Sequence, residues 1–386
     1  MNRRTVIGGI GGAVAVAGTA AYWLSDRANL SRADIKPVRD DTTTLTPDEQ
    51  QILYLASLAP SGHNTQPWFV ESVAPYHLVI GNDKRKWLPA VDPNQRETVL
   101  SLGAFLQNVE YAAGALGYAC RWNRLATTNQ DARVMEVKLV KTSAAMPFDT
   151  EKIESRRTVR SHFSSNALTT KDTAYLVNGE PEFIHYLPTG SKESAYIDEQ
   201  TIVANRLQSY RDPAQRELAN WIRFSSKNAA RHRDGLTTAS MEIEGIAGFM
   251  VRNFYGERDV MKADFRERGI EQVVKQVSES AGWIVITSRD SSVAALLNTG
   301  RRMERLFLKV RERGIALHPM TQILEESATR ETVNASLGIR ENIQFLLRVG
   351  YVGAYPPPVS LRRPVSWFVR HGDAVDKTIL MRRGNN

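Results

Sequence analysis

Two stretches of this chain repeat one plan. From Gly103 to Gly117 a helical run carries Leu106, Val109 and Ala113 on one face, and from Gly300 to Gly314 another carries Met303, Leu306 and Val310 at the same offsets. In each, the two glycines stand fourteen residues apart. A strand-like segment precedes each run ("YHLVIGND" or "GWIVITSRD"), and another follows at a distance ("RVMEVKLVK" or "NIQFLLRVGYVG"). Amphipathic helices resemble one another by chance, but a shared strand, helix, strand order constrains the fold further. It predicts an α+β chain of two fused repeats, each a mixed sheet flanked by helices, packed as a pseudo-dimer within one chain. The halves are expected over residues 46–150 and 151–386, so the functional unit is expected to be a monomer.

A length of 386 residues with 42% hydrophobic content suits this plan. The net charge of +8 is dispersed, with basic residues beside acids as in "YGERDV" and "ADFRERG", so no nucleic-acid stripe emerges. Cys120 is the single cysteine, which excludes an intramolecular disulfide, a CxxC redox pair and a thiolate zinc cluster. HExxH, Walker A and GxSxG motifs are absent, and the seven histidines lack close ligand pairing. No metal site and no protein nucleophile are expected.

The amino terminus, "MNRRTVIGGIGGAVAVAGTAAYWL", places Arg3 and Arg4 ahead of a Gly/Ala-rich run without charge until Asp26. It reads as a twin-arginine export signal over residues 1–25, with a Sec signal or an uncleaved membrane anchor as alternatives. The expected location is the periplasm or the outer face of the inner membrane, reached through the twin-arginine machinery. That route carries folded proteins, commonly with a cofactor inserted. Residues 26–45 are polar and read as a tether. The fold is expected to begin at Thr46, an N-cap followed by Pro47 and by Glu49 at the capping-box position.

The helix that starts there runs into "APSGHNTQPW", residues 59–68, where Ser61, Asn64 and Gln66 offer short hydroxyl and amide groups. These groups suit a polar ligand or the backbone chemistry of a turn. Further on, "ESRRTVRSHF" concentrates Arg156, Arg157, Thr158 and Arg160, which suits either a phosphate or a solvated basic turn.

Together, "APSGHNTQPW", "ESRRTVRSHF" and "GRRMERLFLKVRERGIALHPMTQ" with "FLLRVGYVGAYPPPVSLRRPV" resemble characteristic segments of FMN-binding nitroreductases over most of residues 46–366. With the amino-terminal arginines and the repeat, the chain is most similar to the exported, fused subgroup known as the Acg family. The resemblance implies one FMN per monomer, because each piece occurs once. It assigns the FMN site to Ser61, His63, Asn64 and Gln66, to Arg156, Arg157, Thr158 and Arg160, to His318, Pro319 and Met320, and to Arg362 and Arg363. Among these, Arg362 and Arg363 join the phosphate group, and residues 318–320 wall the flavin ring. Alternatively, residues 318–320 form an ordinary connection and His318 a core histidine.

The implied activity passes electrons from a reduced small-molecule donor, such as NAD(P)H, through FMN to a nitro, quinone or activated-alkene acceptor. The alternatives are an exported protein that binds or sequesters FMN without turnover and a structural protein with a dead pocket. The Gly-punctuated stretch 231–256 reads as a lid over the flavin or as a surface insertion.

Overall fold

In the computed structural model the described residues are 25, 26, 29–34 and 45–371. The signal or anchor reading at residues 1–25 lies outside them except for Ser25. Helix α1 (Pro47–Ser57) is capped as its sequence predicts: the Thr46 hydroxyl accepts from Glu49 N, and the Glu49 carboxylate accepts from Thr46 N at 2.8 Å. Glu49 is fully buried, and its other oxygen accepts from Tyr76 N at 2.8 Å, pinning the turn between β1 (Trp68–Ala74) and β2 (His77–Asn82).

The long helix α2 (Arg96–Ala115) leads to β3 (Tyr118–Arg124) and β4 (Arg133–Lys141). In the second part of the chain come β5 (Ile184–Pro188), α3 (Lys192–Tyr210), α4 (Gly245–Phe254), β6 (Gly282–Ser288), α5 (Val293–Val310), β7 (Ile315–Pro319), β8 (Asn342–Tyr351) and β9 (Val369–His371). The first sheet has the order β9-β1-β2-β4-β3 and the second β5-β6-β8-β7. Apart from β9, the two orders are the same, and every pairing in both is antiparallel. Strand β9 lies parallel to β1, so the end of the described chain returns to the first sheet.

Helices α2 and α5 pack on each other between the sheets, and one continuous core runs through both halves. Glycine permits the crossing. A Cβ on Gly103 would stand 2.2 Å from the Leu297 carbonyl oxygen, and one on Gly300 would stand 1.9 Å from that of Leu100. The contact is reciprocal, since each glycine meets the carbonyl three residues before the other. Gly117 (φ 80°) and Gly314 (φ 62°) follow the two helices in the left-handed region, where a side chain is strained. The outer face of the second sheet carries its own core, with Trp283, Val285 and Leu346 against Ile197 and Ala204 of α3.

Candidate functional site

The loop after α1 holds three consecutive or near-consecutive non-glycine residues at positive φ: His63 (45°), Asn64 (53°) and Gln66 (54°). Such conformations cost about 1 kcal/mol or more each and persist only where the surroundings fix them. Here side chains from distant segments do so. The Asn64 amide donates to Gly235 O (3.1 Å) and Leu361 O (3.2 Å), and its oxygen accepts from Arg362 at 2.8 Å. Arg362 donates again to the carbonyls of Leu58 and Ala59, and Ser61 Oγ accepts from Gln66 N at 3.0 Å.

A cavity of about 310 Å³ opens beside this loop, within the range of small-molecule sites. Ser61, His63, Asn64, Arg156, Thr158, Arg160, His318, Pro319 and Arg362 line it. The elements that bring them together are the α1 exit loop, the extended segment after the short helix Glu151–Ser155, the end of β7 and the segment before β9. Segments from both expected halves therefore contribute. Leu236 and Ser240, within the stretch expected as a lid, also line it. On the same stretch, α4 instead turns Ile246, Met250 and Phe254 outward, and its Asn253 accepts from Asp26 N at 2.8 Å.

The other four residues drawn from the resemblance stand away from the cavity wall. Gln66 and Arg363 brace each other: Gln66 Oε1 accepts from Arg363 N at 2.9 Å, and the Arg363 guanidinium donates to the carbonyls of Gln66 and Trp68. Arg157 is paired with Glu242 at 2.9 Å and donates to Pro357 O. Met320 packs into the outer core of the second sheet.

The cavity's electrostatics are unbalanced toward positive charge on this side. Burial, and then the neighbouring Arg156 and Arg32, holds the Arg362 guanidinium well below its usual range, and burial does the same in direction for Arg160. Arg156 donates to Leu58 O at 2.6 Å and faces the buried Glu304 at 3.7 Å. The guanidinium of Arg160 has no hydrogen bond or ion pair among the described residues. Nε of both Arg156 and Arg362 is buried without a partner among the described residues. His63 is pushed down to about 4 by burial and then by Arg160, and His318 falls well below its ordinary value for the same reasons. Both imidazoles are neutral at pH 7, with Nδ1 buried and without a partner among the described residues. Unused buried donors next to mutually repelling guanidiniums fit a bound group that is anionic and rich in acceptors.

Sequence reasoning missed the acidic part of the wall. Glu97 and Ser101 project from the first turns of α2, and Glu325 comes from the helical turn Gln322–Glu325. Burial, and then Glu325, raises Glu97 to about 8, and burial raises Glu325. A glutamate in the first turn of a helix is ordinary complement to the helix dipole, so its sequence position gives no signal.

No family model matches the chain. It is similar to "Putative NAD(P)H nitroreductase acg" of Mycobacterium tuberculosis, 26% identical over 336 residues, covering 84% of this chain and 96% of the relative. "Putative NAD(P)H nitroreductase Rv3131" of the same species is 28% identical over 334 residues, covering 82% and 90%. "Probable NAD(P)H nitroreductase PigM" of Serratia is 21% identical over 296 residues, covering 73% and 82%.

Proposed function

We propose that this protein is an FMN-dependent oxidoreductase of nitroreductase type, with one FMN in the cavity beside Ser61–Asn64. The observation that carries this reading is the set of guanidinium and imidazole nitrogens without a partner among the described residues, in a cavity lined by segments from both parts of the chain. The curated relatives named as NAD(P)H nitroreductases, matched over most of their length, support it. Arg156, Arg160 and Arg362 would hold the phosphate, as cations with free N–H groups suit a dianion. Ser61, Thr158 and the Asn64 region offer the polar wall for the polyol, and His318 and Pro319 the wall for the ring.

When bound, the flavin would supply hydride chemistry between a reduced donor, such as NAD(P)H, and a nitro, quinone or activated-alkene acceptor. The chain's own residues bind, orient and exclude water. Gln66, Arg157 and Arg363 act one step back, fixing the strained loop and the arginine segment.

The same reading takes the two halves as fused repeats and the protein as exported. Their shared strand order, the reciprocal Gly103/Gly300 crossing and the matched Gly117 and Gly314 support the first. The arginine pair ahead of an apolar run supports the second. Anaerobic addition of NADPH or NADH to the purified protein tests the function: bleaching of the flavin followed by recovery with a quinone is expected. A flavin inert to both nucleotides would leave an FMN-binding protein without this activity.

A further inference from the structure

The carboxyls of Glu97 and Glu325 meet on the cavity wall. Thr321 Oγ1 stands 3.2 Å from Glu97 Oε1 and 2.9 Å from Glu325 Oε1, yet a hydroxyl has one proton to donate. Arg96 donates to Glu97 Oε1 at 2.8 Å and Gln208 to Glu325 Oε2 at 2.6 Å. Both Oε1 atoms thus converge on one hydroxyl, and burial, joined for Glu97 by repulsion from Glu325, favours keeping a proton on the pair. Glu97 Oε2 is turned toward the ligand loop, 3.5 Å from where a side chain on Gly62 would begin.

An independent feature of the same cavity points to a ligand. His318 is 8% exposed and lines the cavity, and neither of its ring nitrogens has a partner among the described residues. Because His318 and His63 are neutral and the arginines do not release protons, the carboxyl pair is the cavity-lining group, among the described residues, that holds a transferable proton at neutral pH. Other charges near the pair are Arg96 on the same turn, Asp92 before α2, and the Arg211–Glu326 ion pair at 2.6 Å. Of these, Arg96 alone acts directly on both carboxyls, and it stabilises one negative charge rather than two.

We propose that Glu97 and Glu325 share one proton and deliver it to the acceptor reduced in this cavity. This end of the cavity then takes a neutral, hydrogen-bond-accepting group, such as a quinone or nitro oxygen, and disfavours a carboxylate. The inference rests on the oxidoreductase reading above. For a quinone, hydride supplied through the reduced cofactor would form a bond to one carbonyl oxygen, and the electron pair displaced through the ring to the other oxygen would take the proton. An O–H bond forms on the product as the carboxyl O–H bond breaks. The pair is left doubly charged and regains its proton from water.

Infrared titration and stopped-flow kinetics of the holoprotein test this together. The wild type is expected to show a protonated-carboxyl C=O stretch that disappears as pH rises through about 8, missing from the E97Q/E325Q double variant. Asp92 and Glu304 are raised only to about 6 and about 7, so the variants assign the band. E97Q and E325Q are each expected to slow reoxidation by menadione at pH 7 by about 100-fold, the scale of a lost proton donor. Their FMN content and their bleaching by the reduced donor should stay within about twofold, because neither step uses that proton.

No titrating carboxyl in the wild type overturns the proposal. So does reoxidation of both variants at the wild-type rate and pH dependence. A protein that binds no FMN defeats the oxidoreductase reading instead, and the infrared titration then still decides whether the pair shares a proton.

Discussion

The two ends of the α2–α5 crossing are built alike and finished differently. In the register that pairs Gly103 with Gly300 and Gly117 with Gly314, Pro319 of β7 corresponds to Trp122 of β3. Pro319 lines the cavity, and beyond it the chain turns away into Thr321–Glu325, which contributes three more wall residues. Strand β3 instead runs on to Arg124 in register with β4. The Trp122 ring lies 4.6 Å from the Arg301 guanidinium, which bonds Glu110 at 3.0 Å. One position borders a cavity, and its counterpart is occupied by a tryptophan, an arginine and a glutamate. The comparison teaches that the helix and strand framework does not make the site. The connecting segments make it: the strained segment Ser61–Gln66, the arginine segment, and the segment carrying Arg362.

The largest effect is expected where the comparison is symmetric. Gly300→Ala would push a methyl into the Leu100 carbonyl at 1.9 Å, with backbone on both sides of the contact. It should destabilise the fold by about 3 kcal/mol or more. Thermal denaturation measures this, and an unchanged melting temperature would mean that the helices do not cross as described.

Next come two substitutions, one at each end of the crossing. Arg160→Ala removes a guanidinium with no partner among the described residues, so FMN affinity should fall by about 2 kcal/mol, roughly thirtyfold, with little loss of stability. Arg301→Ala at the filled end should do the opposite, costing about 1 kcal/mol of stability while FMN content stays unchanged. Titration of FMN into each apoprotein, alongside chemical denaturation, separates the two. A loss of FMN in Arg301→Ala would place ligand binding at both ends.

The sequence made some of this legible for physical reasons. Capping at Thr46–Glu49, the β1–β2 hairpin and the glycines of the two long helices are local or pairwise features, readable from residue type and spacing. Nine of the residues drawn from the resemblance reach one cavity because they sit on segments whose ends are fixed by the framework. Gln66 and Arg363 differ, because the carbonyls that capture the Arg363 guanidinium are made available only by the left-handed turn at Gln66. Residue type does not reveal such capture. Met320 follows Pro319 along an extended segment, so its side chain faces the other side, into the outer core.

The carboxyl pair was the least legible feature. Glu97 and Glu325 belong to segments far apart in the chain, and each alone reads as an ordinary surface or first-turn acid. Burial beside the other is what gives either one an unusual proton. The parallel return of β9 to β1 was equally hidden, since three residues after a proline-rich stretch carry no strand pattern.

The central claim is one composite flavin site per chain. The absorption spectrum of the purified protein, followed by heat release and identification and quantification of the chromophore against protein, tests it most directly. About one FMN per chain is the predicted result. Two per chain would contradict the filled counterpart, and colourless protein that takes up no added FMN would contradict the site itself.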